Sequence, residues 1–137
     1  MTYRDTLAYL SSLHKMGIRF GLDPIRFLLE RLHNPQNSYP AVLIAGTNGK
    51  GSVAAMTAAI LASGGLKTGL YTSPDLIDFR ERIRINDRMI SREEAMHCAE
   101  AVKEKMAEEI SYFEFLTAMG FLHFHRQRVD IAVLEIG

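Results

Sequence analysis

Hydrophobic and polar positions follow helical spacing in the first part of the chain. Leu7, Leu10 and Leu13 recur on one side of a predicted first helix. Asp23 and Pro24 predict the start of a second helix, with Asp23 as the N-cap and Pro24 at the first helical position. The chain therefore opens with two amphipathic helices.

The remaining pattern predicts strands that alternate with helices. In chain order these are a strand, a helix, a strand, a hairpin, two helices and a strand, with bounds near 41–45, 53–63, 67–71, 82–90, 91–109, 111–128 and 129–136. This order predicts an α/β fold, an open and mostly parallel sheet with helices on both faces. We expect the 41–45 strand to be buried, and the last strand either to form an unpaired edge or to leave a face uncovered.

A glycine-rich turn separates the first predicted strand from its helix. Its sequence, Gly46-Thr-Asn-Gly-Lys-Gly-Ser52, places Lys50 among three glycines, and we expect Ser52 to open the helix. Glycines let backbone N–H groups crowd around phosphate oxygens, the helix N-terminus adds a positive dipole, and the lysine adds a full charge. An ordinary strand-to-helix turn would not need this combination, so the sequence favours a phosphate-binding loop.

Two oxygen-bearing residues follow other predicted strands. Ser73 lies in the Thr72–Asp75 loop, and Glu135 is near the end of the last, mostly apolar strand. We expect Ser73 and Glu135 to meet at the ends of two neighbouring parallel strands, the edge at which open α/β sheets bind ligands. A carboxylate buried there is costly unless it is paired or bound to a metal, so Glu135 is a candidate Mg²⁺ ligand. For Ser73 alone, a plain Ser-Pro turn would be the simpler interpretation.

Composition narrows the class of protein further. The 137 residues suit one domain, and 16 basic against 16 acidic residues give a net charge of zero. The chain therefore has no overall electrostatic potential that would favour binding to nucleic acid or to an anionic membrane. We expect a cytoplasmic protein. Cys98 is the only cysteine, which excludes an intrachain disulfide, and the five histidines are too scattered to predict a metal site.

The glycine turn departs from the usual Walker A spacing, because Gly51 separates Lys50 from Ser52. This variant resembles the loop of folylpolyglutamate and dihydrofolate synthases, in the Mur ligase superfamily. Tyr71-Thr-Ser-Pro-Asp75 is similar to the family's Thr-Ser-Pro-His loop, with Asp75 in place of the histidine. Phe79–Asn86 and Val133–Gly137 resemble two further family stretches. The chain is thus identified as the N-terminal part of a Mur-ligase-like ATP-binding domain, over residues 1–137.

The resemblance implies roles for particular residues. The ATP-binding residues would be Thr47, Asn48, Gly49, Lys50, Gly51 and Ser52, with Lys50 also catalytic. Ser73 and Glu135 would hold Mg²⁺. Contacts to the pterin-like part of the substrate would come from Arg19, Phe20, Gly21, Leu22, Ser111, Tyr112, Phe113 and Glu114. Core packing is an equally good interpretation of Tyr112 and Phe113.

The implied reaction is ATP-dependent amide formation in a monomeric enzyme. ATP would phosphorylate a carboxylate of dihydropteroate or a folate, and L-glutamate would displace the phosphate. The family continues beyond the position of Gly137, so the resemblance covers only about the first third of a typical member, and we expect the chain alone to be inactive. Two alternatives stay open. One is a stand-alone P-loop phosphotransferase or NTPase, and the other is a non-catalytic nucleotide-binding module.

Overall fold

The computed structural model describes residues 1–14 and 21–136, which divide into two compact units. The first unit comprises Met1–Pro35 and Arg92–His123, and the second comprises Gln36–Ser91 and Phe124–Gly137. Among the described residues, none of the helices has both the length and the apolar composition needed to cross a membrane.

The first unit is helical. Its elements are α1 (Tyr3–Leu13), α2 (Asp23–Arg31), α4 (Arg92–Lys105) and most of α5 (Tyr112–Arg126). Tyr9 of α1 packs edge-on against Phe115 of α5, with ring centroids 5.2 Å apart. Small residues of α4 and larger apolar residues of α5 are fully buried here: Ala95, Ala99, Val102, Leu116 and Met119.

Two details of the helical unit differ from the sequence prediction. Asp23 is the first residue of α2 and not its N-cap, a position that Leu22 occupies without a side-chain hydrogen bond. Leu7 is 43% exposed, whereas Leu10 and Leu13 are buried as predicted. The predicted loop residues Arg19 and Phe20 lie outside the described residues.

The second unit contains a five-stranded sheet in the order β1-β5-β2-β3-β4. The strands are β1 (Ala41–Ile44), β2 (Thr68–Tyr71), β3 (Ile83–Ile85), β4 (Arg88–Met89) and β5 (Ile131–Glu135). β1, β5 and β2 are parallel, and β3 and β4 complete the sheet as an antiparallel hairpin. The predicted mostly parallel open sheet is confirmed.

The placement of two strands was predicted wrongly. β5 lies between β1 and β2 instead of at an edge, and Ala132 and Val133 are fully buried. β1 is the edge strand, and its Leu43 is 59% exposed. β5 pairs with a strand on each side, and its Leu134 is opposite Leu43 of β1 and Tyr71 of β2.

Helical segments cover both faces of the sheet. α3 (Lys50–Ser63) packs Ala54 and Ala58 against Val133 on one face. Gly69 of β2 faces the other way, toward Phe124 at the carboxyl-terminal end of α5. A Cβ atom at Gly69 would lie 2.8 Å from the Phe124 ring, so this contact requires glycine. The predicted helices on both faces are therefore present.

Candidate functional site

Three parallel strands of the second unit end at the same edge of the sheet. The glycine turn follows β1, Glu135 is the last residue of β5, and residues 72–74 follow β2. Since β5 and β2 are parallel neighbours, the predicted meeting of Ser73 and Glu135 at adjacent strand ends is confirmed. This is the edge at which open α/β sheets bind ligands.

The glycine turn enters α3 through backbone conformations that favour glycine. Gly46 has a φ of +145°, and Gly49, the N-cap of α3, has a φ of +71°. No side chain caps the helix, so the N–H groups of its first turn remain available to an anion. α3 begins at Lys50 and not at Ser52 as predicted, which places Lys50, Gly51 and Ser52 together in this first turn. Thr47 and Asn48 are exposed in the turn before it.

Glu135 is a buried carboxylate without a partner in the described part of the chain. Its exposure is 6%, and no hydrogen bond or ion pair to another described residue satisfies its oxygens. A Cβ atom built on Gly51 would lie 3.6 Å from Glu135 Oε2, so the carboxylate lies directly against the start of α3. The carboxylate lines a cleft, so its oxygens are accessible there to a ligand or an ion.

One cleft joins these features. Its volume is about 460 Å³, and its lining includes Gly51, Leu70, Ser73, Arg84, Asp87 and Glu135. The cleft thus brings the predicted metal ligands Ser73 and Glu135 to the first turn of α3. Lys50 is half-buried beside Gly51 and has no hydrogen bond or ion pair with any described residue.

The donor set of the cleft fits Mg²⁺ in company with phosphate. Within the described residues there is no cluster of three or more His, Cys, Asp or Glu side chains. Mg²⁺ does not need such a cluster, because it commonly binds one or two protein oxygens together with water and substrate phosphates. The unpartnered Glu135 carboxylate and the Ser73 hydroxyl are oxygens of this kind.

The loop that begins at Ser73 is held by carboxylates. Arg82 Nε donates a 2.6 Å hydrogen bond to Asp75 Oδ1, and the Thr72 N–H donates to the Arg82 carbonyl at 3.0 Å. The Glu81 carboxylate accepts hydrogen bonds from the backbone N–H groups of Leu76, Ile77 and Asp78, at 2.8, 3.1 and 2.9 Å. These bonds, above all that from Leu76, lower the pKa of Glu81. The residue in place of the family's histidine, Asp75, therefore helps to fix the loop.

Proteins similar to the chain in sequence include folylpolyglutamate and dihydrofolate synthases. The chain is 37% identical over 145 residues to the folylpolyglutamate synthase of Lacticaseibacillus casei, covering all of this chain and 34% of the relative. It is homologous to the N-terminal part of the folylpolyglutamate and dihydrofolate synthases. No protein-family model matches the chain.

Solved structures of folylpolyglutamate synthases are also similar to the chain. That of Thermotoga maritima superposes with a TM-score of 0.90 at 44% identity, over 98% of this chain and 33% of the other. A folylpolyglutamate synthase in complex with AMPPCP and folate superposes with a TM-score of 0.91 at 34% identity, over all of this chain and 35% of the other. The chain thus spans about one third of the length of these synthases.

The predicted substrate-contact residues of this synthase homologue lie in the first unit. The Ser111 N–H donates to Glu114 Oε1 at 2.9 Å, and the Glu114 N–H donates to Ser111 Oγ at 3.1 Å, a reciprocal cap of α5. Tyr112 stacks on His14 with ring centroids 3.7 Å apart, and Phe113 is 52% exposed. Ser111 and Glu114 thus have a structural role, and the substrate contacts of the whole group stay a prediction.

The same holds for Gly21 and Leu22, which precede α2. Leu22 is 60% exposed and Gly21 has a φ of +101°. Their neighbours Arg19 and Phe20, predicted to contact the same group, lie outside the described residues. A role for this loop in substrate binding therefore also stays a prediction.

Sequence reasoning missed Arg84 and Asp87 as residues of the cleft. Taken alone, the alternation of charged and apolar residues from Arg82 to Ile85 predicts a solvated strand face. Arg82 is in fact 9% exposed, and Arg84 lines the cleft. The two-residue spacing of the arginines gave no signal for the cleft, because Arg82 belongs to the helical turn Phe79–Arg82 that precedes β3.

Proposed function

We propose that the chain is the ATP-binding part of an ATP-dependent ligase that adds L-glutamate to dihydropteroate, to folates, or to both. The observation that carries the proposal is the buried, unpartnered Glu135 carboxylate against the first turn of α3. A phosphate-binding turn beside a carboxylate at a strand end is the arrangement by which enzymes hold a metal-nucleotide complex. The related synthase complex with AMPPCP and folate supports the same assignment.

Each residue has a distinct task in this proposal. The backbone from Thr47 to Gly51 surrounds the phosphates, and the Lys50 ammonium offsets charge on the β- and γ-phosphates. Ser73 and Glu135 hold Mg²⁺, which when bound neutralises phosphate charge. Ser52 follows within the first turn of α3, where its N–H and hydroxyl can contact a phosphate.

The proposed reaction is the one that the similarity to folylpolyglutamate and dihydrofolate synthases implies. An oxygen of the acceptor carboxylate attacks the γ-phosphorus, the bond from that phosphorus to the β,γ-bridging oxygen breaks, and ADP leaves. The amine of glutamate then attacks the acyl carbon, and phosphate departs as the amide forms and the nitrogen loses a proton. The substrates are small molecules, and we place the enzyme in the cytoplasm as a monomer, with neither nucleic acid nor membrane as a partner.

Two experiments test the proposal. Isothermal titration calorimetry of the 137-residue chain with Mg-AMPPCP should show binding that is lost in Lys50→Ala and retained in Lys67→Ala, a half-buried lysine just before β2. A hybrid with this chain in place of the matching segment of the L. casei synthase should form the glutamyl amide, detected by mass spectrometry. A folded hybrid that binds nucleotide but makes no amide would contradict the ligase assignment.

The remaining alternatives predict other results. A stand-alone phosphotransferase would turn over ATP with a phosphoryl acceptor in the isolated chain and ignore folates. A non-catalytic module would bind nucleotide without turnover even in the hybrid. We expect neither, and no amide from the isolated chain incubated with Mg-ATP, glutamate and dihydropteroate or tetrahydrofolate.

A further inference from the structure

We propose that Arg84 of β3 binds the terminal phosphate of the nucleotide in the cleft. The inference rests on the proposed function, since it takes the cleft to be a nucleotide site. It adds a phosphate-binding residue on the side of the cleft away from α3, in a stretch whose charges look on sequence alone like a solvated strand.

The sheet register places Arg84 on the face that carries α3. Val42 of β1 is opposite Val133 of β5, Val133 is opposite Leu70 of β2, and Leu70 is opposite Arg84. Side chains directly opposite one another on neighbouring strands share a face of the sheet. The first three members of this row pack against α3, and Arg84 is its charged member beyond Leu70. Its side chain therefore lines the cleft and does not face away from it.

The other two arginines of this stretch are engaged by carboxylates. Arg82 is paired with Asp75 at 2.6 Å, and Arg80 is paired with Asp78 through contacts of 3.0 and 3.1 Å. The charge of each is therefore balanced within its own loop. Neither arginine is among the residues that line the cleft.

Arg84 is held at one end. It lies near the Glu81 carboxylate, whose pKa its charge helps to lower, but it donates no hydrogen bond to that carboxylate. Its Nε donates a 3.2 Å hydrogen bond to the Glu81 carbonyl, which fixes the direction of the guanidinium. Nη1 is 3.9 Å from Asp87 Oδ1, too far for a hydrogen bond, and the Asp87 side chain is fully exposed. Within the described residues, Nη1 and Nη2 donate no hydrogen bond. The two terminal amino groups therefore form a fork that suits a planar pair of phosphate oxygens.

Arg84 lies on the side of the cleft away from α3, where the far end of a phosphate chain that starts at α3 would lie. β3 lies two strands from β5, so its backbone is about 10 Å from that of Glu135. Arg84 and Ser73 line the same cleft, so a group bound beside Ser73 lies in the space that the arginine also borders. The β-phosphate would lie at the first turn of α3, and the terminal phosphate would lie between the metal ligands and Arg84.

The test compares two nucleotides that differ by the terminal phosphate. Calorimetry on the 137-residue chain would measure the Kd of Mg-AMPPCP and of Mg-ADP. Arg84→Gln should weaken AMPPCP about 10- to 100-fold and ADP less than about threefold, as expected for a lost charge-assisted hydrogen bond. Arg84→Lys should restore part of the AMPPCP affinity.

Arg88→Gln is the matched control. Arg88 is an exposed residue of the same hairpin, and it is opposite Ile85, so its side chain faces away from the Arg84 face. It should leave both affinities unchanged, and thermal unfolding should show that both variants fold. Equal losses for the two nucleotides in Arg84→Gln, or no loss, would overturn the inference. If Lys50→Ala weakens binding and Arg84→Gln does not, only this inference fails; a chain that binds neither nucleotide overturns the proposed function as well.

Discussion

Glu114 and Glu135 are both buried glutamates, yet their surroundings are opposite. Their exposures are 8% and 6%. Glu114 accepts the Ser111 N–H at 2.9 Å and stands in the first turn of α5, where the helix dipole favours a negative charge. Glu135 ends a β-strand, and no described residue donates a hydrogen bond to it.

The comparison separates a carboxylate that serves the fold from one that is free to serve a ligand. The exposed fraction of the residue does not distinguish them, because the two values are nearly equal. The number of hydrogen-bond partners distinguishes the two glutamates, because a carboxylate whose oxygens are satisfied within its own helix cap needs no ligand. We infer that Glu135 is kept at the strand end for what it binds, and that Glu114 is kept for the stability of α5.

The largest effect should come from Lys50, the charged residue at the start of α3. Lys50→Ala should lower Mg-AMPPCP affinity by at least about 100-fold, because a charge-assisted contact to two phosphates is lost. The fold should persist, since Lys50 makes no hydrogen bond or ion pair in the described structure. Calorimetry would measure the affinity, and circular dichroism would show whether the fold persists. Near-normal affinity would remove the phosphate-binding assignment of the glycine turn.

Glu114→Ala should affect stability and not nucleotide binding. Loss of an N-terminal cap costs about 0.5–2 kcal/mol of unfolding free energy. Urea unfolding would measure this loss, and Glu104→Ala, an exposed glutamate of α4, is the control. A variant with unchanged stability would show that the cap does not explain why Glu114 is buried.

The smallest effect concerns Glu81, a carboxylate that is satisfied by three N–H groups in an exposed loop. Its pKa is lowered from 4.5 in the folded chain, so the folded state favours the ionised form. The stabilisation is complete above pH 4.5 and is lost as the pH falls through the lower folded pKa. The stability difference between the parent and Glu81→Gln should therefore shrink as urea unfolding is repeated below pH 4.5. A difference that does not change with pH would contradict the hydrogen-bonding account.

Much of the architecture could be predicted because the local signals were strong. The spacing of apolar residues and the turn residues predicted an open, mostly parallel sheet. The positions of Ser73 and Glu135 after predicted strands indicated that these two residues, which line one cleft, would meet. The exchange of edge and centre between β1 and β5 could not be predicted. Both strands are apolar runs, and the order of parallel strands depends on pairing between distant segments that periodicity does not report.

Two errors at the site have local causes. The glycines around Lys50 are poor helix formers, so helix propensity predicted a start of α3 that was too late. The left-handed conformation of Gly49 is enough to begin the helix at Lys50 and to leave its first N–H groups free. Arg84 was missed because its exposure depends on which face α3 covers. That face is set by the register of Leu70 and Val133, which the sequence of β3 does not contain.

The most direct test of the account is the Mg²⁺ dependence of AMPPCP affinity in Glu135→Gln and Glu114→Gln. Both changes keep the shape of a buried side chain and remove its charge, and glutamine can still complete the cap of α5. Calorimetric titrations across a range of Mg²⁺ concentrations should show that Mg²⁺ strengthens nucleotide binding in the parent and in Glu114→Gln, and barely does so in Glu135→Gln. The same Mg²⁺ dependence in all three proteins would contradict the central claim that Glu135 holds the metal.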